Sequence, residues 1–159
     1  MRVEIEEVRG RRERGILERL YPLYLHDLSS FTNHFRLDAE GRWRPDYLDD
    51  WMGREECSSL LILANGTPAG FVFVAERPFP HMEPDADNKI VEFFVARPFR
   101  RGGIGTAAAR KVIGSRRGAW QLDVIVANAG ARAFWRGIAP QAVERPDHAR
   151  GALVLRFTV

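Results

Sequence analysis

Val3-Glu-Ile-Glu-Glu-Val8 alternates apolar and charged side chains, the period of a strand with one buried face. From Arg12 to Ser29 the period changes, and Ile16, Leu17, Leu20, Tyr24 and Leu28 recur near helical spacing. Pro22 is expected to kink or divide this helix, because it has no N–H and crowds the preceding turn. The stretch from Phe31 to Trp43 carries no regular pattern. Pro45 suits the first turn of a second helix, running through Asp49-Asp50-Trp51-Met52 and ending near Cys57.

Ser59-Leu-Leu-Ile-Leu-Ala64 and Ala69-Gly-Phe-Val-Phe-Val-Ala75 read as strands, and Asn65-Gly66 between them is a strong hairpin signal that predicts antiparallel pairing. A loop from Pro78 to Asn88 leads into the apolar strand Ile90–Val95. A glycine-rich loop and a helix to about Arg117 follow. Next come the strand Gln121–Val126, a helix from Asn128 to Ile138 and a closing strand Ala152–Val159. An antiparallel first half followed by one strand–helix–strand crossover predicts a mixed α/β (or α+β) sheet rather than a wholly parallel one.

At 159 residues the chain is expected to form a single domain, residues 1–159, with a substantial core. The opening Met-Arg-Val-Glu-Ile-Glu-Glu is too polar for a secretory leader, and no apolar run has the length of a membrane span, so a cytoplasmic protein is expected. Cys57 is the only cysteine, which excludes an internal disulfide and reads as a small buried hydrophobe. The formal net charge is only +3, with arginines scattered among acids, which gives little support to nucleic-acid binding. Asp85-Ala-Asp87-Asn88 is no calcium loop, since Ile90 and Ala96 stand where its glycine and final glutamate belong; no metal is expected.

The candidate chemistry centres on Arg100-Arg101-Gly102-Gly103-Ile104-Gly105, between an apolar strand and a helix. Glycines let backbone N–H groups approach an anion, the helix N-terminus adds its dipole, and arginines grip further phosphate oxygens. Gly103-Ile-Gly105-Thr-Ala-Ala108 also fits the dinucleotide fingerprint, but Arg97–Arg101 intervenes after the strand and too little chain follows for two mononucleotide-binding halves. A P-loop is excluded, because no lysine stands between Gly105 and Thr106. Glu92 is a carboxylate in an otherwise apolar strand. It reads as a base with a raised pKa, as a structural hydrogen-bond acceptor, or as part of a face open to water.

Arg100, Gly103 and Gly105 supply the [Q/R]-x-x-G-x-[G/A] pattern of the coenzyme A loop in the GNAT superfamily of N-acetyltransferases, which this chain resembles from about Lys89 to Ile138. Glu92-Phe-Phe-Val95 resembles that family's fourth strand, and Asn128 through Trp135 its N-x-x-A-x-x-[L/F]-[Y/W] segment. The resemblance implies a mostly antiparallel sheet of about seven strands with helices on both faces, parted at its parallel pair to admit the cofactor. It implies acetyl-CoA as acyl donor and a primary amine, on a small molecule or a protein, as acceptor attacking directly in a ternary complex.

The resemblance also implies residue roles. Backbone N–H groups of Arg101, Gly102, Gly103, Ile104, Gly105 and Thr106 surround the pyrophosphate, and Arg100 or Arg101 meets phosphate. Phe94 and Val95 pair their backbone with the pantetheine arm, Asn128 hydrogen-bonds it, and Phe134 and Trp135 flank it, although core packing explains either ring alone. Glu92 is the base, directly or through water, and a strand bulge near Phe94–Val95 offers the oxyanion donor. Trp135 stands where many members carry the tyrosine that protonates the sulfur, and an indole N–H is no acid at neutral pH. Tyr21, Tyr24 and Tyr47 are candidate substitutes. His26, Asp27, His34, Glu83, Asp85 and Asp87 are candidate contacts for a cationic amine. A catalytically silent acyl-CoA-binding module and a basic nucleic-acid-binding domain stay open as alternatives, and a homodimer is implied by resemblance only.

Overall fold

The computed structural model describes residues 1–159. Strands β1 (Val3–Glu7), β4 (Cys57–Ala64), β5 (Thr67–Glu76), β6 (Asn88–Val95), β7 (Ala119–Ile125), β8 (Val143–Asp147) and β9 (Ala152–Thr158) form one sheet in the order β1-β4-β5-β6-β7-β9-β8. Only β6 and β7 are parallel neighbours, joined across α3 (Ile104–Gly114). The mixed, mostly antiparallel sheet implied by the sequence is therefore present.

Each sheet face carries its own core. Val72, Val74, Ile90, Trp120, Leu122 and Leu155 pack with Ile104, Ala108 and Val112 of α3 and with Trp135 of α4 (Ala129–Ile138). On the opposite face Leu61, Phe71, Phe73 and Phe94 meet Leu17, Tyr21 and Leu25 of α1 (Arg11–Leu28) and Leu48 of α2 (Leu48–Met52). Burying apolar surface on both faces drives this layering. Cys57 is buried in the second core, where burial raises its thiol pKa to about 12, so it serves as a small hydrophobe.

The Asn65-Gly66 hairpin forms as expected. Ala64 pairs with Thr67, and both turn residues have positive φ, 49° and 79°, as a tight two-residue connection with right-handed strand twist requires.

Four local expectations change. Pro22 does not divide α1, which runs unbroken through it; the packing of Leu17, Tyr21 and Leu25 outweighs one missing hydrogen bond. The second helix spans only Leu48–Met52 and stops at Gly53, because Cys57 already belongs to β4. The patternless Phe31–Trp43 segment holds one side of a small hairpin, β2 (Arg36–Leu37) with β3 (Trp43–Arg44). Strand β8 was hidden by its charges and by Pro146, which a sheet edge tolerates.

Candidate active site at the parted strands

Strands β6 and β7 pair only at Asn88–Trp120, Lys89–Gln121 and Ile90–Leu122. Beyond that point β6 continues to Val95 and β7 to Ile125 without pairing, which opens a wedge in the sheet. Ala96 N–H donates to Ala69 O of the β5 side, so two-residue alternation turns the backbone of Phe94 toward β5 and that of Phe93 and Val95 toward the wedge. The expectation that Phe94 faces the wedge is thereby shifted to Phe93. The Phe94 ring lies on the α1 face, 5.5 Å from Phe71 and 6.0 Å from Tyr24.

The bulge also lies elsewhere than expected. Phe73 pairs with Glu92 and Val74 with Ile90, so Val91 is the extra residue, and the ladder through Phe94 and Val95 is regular. Without this extra residue the strict alternation of a strand would carry Val91 and Glu92 to opposite faces. With it, both stand on the α1/α2 face, while Ile90 and Phe93 remain in the α3/α4 core.

Glu92 is buried. Its Oε1 accepts hydrogen bonds from the Tyr21 hydroxyl at 3.0 Å and from Trp51 Nε1 at 3.1 Å, while its buried Oε2 has no donor in the protein. Burial raises its pKa to about 8, with the Trp51 and Tyr21 donors pulling the other way and Asp46 adding to the rise. Tyr21, buried and facing Glu92, has its hydroxyl pKa raised, as does Tyr24; neither stands ready as an acid. Tyr47 bonds His34 Nε2 at 2.9 Å instead.

At the wide end of the wedge stands the glycine loop. None of the backbone N–H groups from Arg101 to Thr106 donates a hydrogen bond within the protein; the first to do so in α3 is Ala107, to Gly103 O at 2.9 Å. Arg101 and Gly103 hold left-handed φ of 64° and 80°, which bends these donors around the helix N-terminus. A Cβ on Gly105 would come within 3.4 Å of Phe134 and 3.6 Å of Val95, which puts the loop beside the last residue of β6. This run of free donors above an open strand edge fits a pyrophosphate bearing an extended arm.

The two arginines separate in role. Arg100 turns inward: its Nε donates to Val95 O at 2.6 Å, its other end pairs with Asp27, and its guanidinium lies 5.6 Å from the Phe94 ring centre. Arg101 is exposed. Asn128 caps α4, its Oδ1 accepting from Ala131 N at 3.0 Å, which leaves its amide N–H free of that bond. Phe134 and Trp135 form an aromatic wall with Phe93, at 5.6 Å and 5.2 Å from it, and Trp135 is buried.

On the α2 side, at the closed end of the wedge, lies a cavity of about 310 Å³ lined by Tyr47, Trp51, Phe79, His81, Lys89, Val91, Asp123 and Arg150. Lys89 Nζ reaches Asp123 Oδ2 at 2.8 Å and His81 O at 2.6 Å, and Arg150 reaches the same carboxylate oxygen at 3.0 Å. Burial alone raises the Asp123 pKa, but Lys89, Gln121 and Arg150 outweigh it and hold the carboxyl below its usual range. A second cavity of about 270 Å³, around Arg132, Arg136 and His148, touches neither Glu92 nor the glycine loop.

The acids expected to meet a cationic amine are engaged elsewhere. Glu83 pairs with Arg145 and Arg156, Asp85 with Arg156, Asp87 with Arg77, and Asp27 with Arg97 and Arg100; His26 is exposed beside Trp43. Sequence reasoning missed the Glu92 partnership with Tyr21 and Trp51 and the cavity group Phe79, His81, Lys89, Asp123 and Arg150. A lysine and an aspartate inside two adjoining apolar strands were the signal for the last group. No set of three His, Cys, Asp or Glu side chains is arranged for a metal, and no helix is long and apolar enough to cross a membrane.

No protein of curated function matches the chain in sequence. Among solved structures it is similar to an acetyltransferase from Thermus thermophilus, at TM-score 0.74 and 14% identity over 100% of this chain and 98% of that one. It is also similar to the PaiA N-acetyltransferase of Thermoplasma acidophilum, solved in complex with coenzyme A, at TM-score 0.66 and 11% identity over the full length of both. At such identities these likenesses speak for the fold alone. A family model described as acetyltransferase (GNAT) matches residues 17–138, most of the chain and all of the wedge, and the chain belongs to that family.

Proposed function

We propose that residues 1–159 act as one acetyltransferase unit, moving the acetyl group of acetyl-CoA to a primary amine by direct attack while both are bound. The observation that carries this reading is the alignment of three features along β6. Free N–H donors run from Arg101 to Thr106, a strand edge stands open from Val95 back to Val91, and a cavity begins where the strands rejoin. That edge is about 13 Å of extended backbone at 3.3 Å per residue.

Acetyl-CoA supplies a thioester whose carbonyl carbon takes the amine, the C–N bond forming as the C–S bond breaks and sulfur leaves as thiolate. The glycine-loop N–H groups and exposed Arg101 hold the pyrophosphate. Phe93 and the N–H of Val95, whose carbonyl is held by Arg100, offer backbone groups to the arm, and Phe134 and Trp135 wall it. The Phe93 N–H, facing the wedge, is the donor for oxygen charge developing at the carbonyl. Glu92 takes the proton lost by nitrogen, on Oε2, the oxygen with no protein donor. Trp135 steadies the thiolate without protonating it, and water supplies that proton.

Release of free thiol from acetyl-CoA in the presence of a panel of primary amines tests this reading. Amine-dependent release by the wild type, lowered in Glu92→Gln, supports it; no release with any amine removes it. The silent-binder reading draws support from Trp135 in the tyrosine position. Acetyl-CoA that raises Tm without any thiol release, with about 2.7 kcal/mol of added stability at a hundred times Kd, would favour it.

A further inference from the structure

We propose that the acceptor is a small amine carrying both a carboxylate and an aromatic or bulky apolar group, an aromatic amino acid being the simplest member of the class, with Arg150 as the partner of its carboxylate. This deepens the acetyltransferase reading and rests on it. The donors left on the basic side of the cavity are the first argument. Lys89 and Arg150 converge on the one carboxylate of the lining, Asp123, and Asp147 outside the lining takes the Nε edge of Arg150. Asp27, Glu83, Asp85 and Asp87, the acids that could draw a polycationic amine from the surrounding loops, are all paired with arginines.

Arg150 keeps one edge of its guanidinium open. Its Nε donates to Asp147 at 2.7 Å and its Nη1 to Asp123 at 3.0 Å, and its Nη2 makes no bond within the protein. The side chain is half-exposed on the β8–β9 turn, so a carboxylate reaches it without stripping a buried charge. Lys89, by contrast, is buried and consumed by Asp123 and the His81 carbonyl.

The walls supply the second half of the specificity. Trp51 stands 5.7 Å from Phe79 and 6.1 Å from His81, and Tyr47 stands 5.6 Å from Trp51, which gives the same cavity an aromatic face. Aromatic rings prefer edge-to-face or offset neighbours, and the Trp51–Phe79 and Trp51–His81 pairs already have edge-to-face geometry. At about 310 Å³ the cavity lies at the small end of ligand sites, which favours a compact acceptor over a long peptide. With the carboxylate on Arg150 and the ring on Trp51 and Phe79, the amine lies over Val91, next to Glu92.

Phenylalanine, phenylalaninamide and phenethylamine share one ring and differ in the carboxylate, so thiol release from acetyl-CoA with each of them tests the assignment in the full-length wild-type, Arg150→Gln and Arg150→Lys proteins. The expected result is a preference in kcat/KM of about tenfold or more for phenylalanine over its amide, erased in Arg150→Gln and kept in part by Arg150→Lys. Equal use of the amide by the wild type, or a preference that survives Arg150→Gln, overturns the assignment. Turnover of spermidine with none of the three overturns it too, while leaving acetyl transfer standing. If no amine releases thiol, calorimetry in the presence of coenzyme A decides: phenylalanine binding that Arg150→Gln abolishes supports the pocket and removes the enzyme, and absent binding overturns the pocket.

Discussion

Trp51 donates its indole N–H to Glu92 Oε1 at 3.1 Å, across 41 residues of sequence, and the same ring walls the cavity at the closed end of the wedge. A group that lines this cavity therefore also bears on the basicity of the buried carboxylate. The bulge at Val91 makes this possible by turning Glu92 onto the α2 face.

Glu92→Gln is expected to change the pH dependence of stability. A carboxyl raised from 4.5 to about 8 in the folded protein binds its proton more tightly there than in the unfolded chain. Its contribution is fully present below about pH 4.5 and lost progressively as pH rises to about 8, after which it is level. Glutamine is neutral throughout. Unfolding measured from pH 5 to pH 9 should show the wild type losing stability and the variant holding it; parallel profiles would contradict the buried carboxylate.

Activity should move the opposite way. The base works when ionised, so wild-type kcat/KM should climb with pH and level off above about 8, whereas Glu92→Gln should lack that limb and run about 10²- to 10⁴-fold slower. Trp51→Phe removes one donor to the ionised carboxylate and should displace the wild-type limb upward by about one pH unit; Tyr21→Phe should act in the same direction. An unmoved midpoint in both variants would uncouple these donors from the base.

Gly70→Ala is expected to be severely destabilising, by about 3 kcal/mol or more, because its Cβ would stand 2.0 Å from the Phe94 carbonyl oxygen. Gly102→Ala is the control. Nothing lies within 4 Å of its Cβ, so its stability should match wild type within about 0.5 kcal/mol. Denaturant unfolding of the two variants measures the difference, and similar midpoints would refute the close approach of β5 to β6.

The two arginines of the glycine loop should separate under mutation. Arg101→Ala should leave Tm unchanged and raise KM for acetyl-CoA about tenfold, with a weaker salt dependence than wild type. Arg100→Ala should lower stability by about 1–3 kcal/mol, since Asp27 and the Val95 carbonyl both lose a donor. Steady-state kinetics at two ionic strengths, paired with thermal melts, tell these outcomes apart.

Much of this was legible in the residues themselves. Asn65-Gly66 fixed its hairpin because few residues accept two successive positive φ angles, and Arg100 through Gly105 marked an anion loop because glycine and a helix start leave N–H groups free. Glu92 stood out as the one acid in an apolar strand. Other features gave no local signal. Strand β8 owes its place to pairing with β9 at a sheet edge, and α1 survives Pro22 through contacts with β5. The loop acids looked free for a substrate because their arginine partners, such as Arg145 and Arg156, lie more than 60 residues away.

The sequence by itself determined the order of the main elements apart from β2, β3 and β8, together with the glycine loop, the isolated carboxylate and the family, since each depends on spacing and residue type within a short stretch. Only the tertiary structure decided which way Glu92 faces, that Tyr21 and Trp51 hold it, that Arg100 turns inward, and that Lys89, Asp123 and Arg150 meet in one cavity. One inserted residue at Val91 reverses a strand's faces, and contacts between distant segments exist only once the sheet is paired and both its faces are covered.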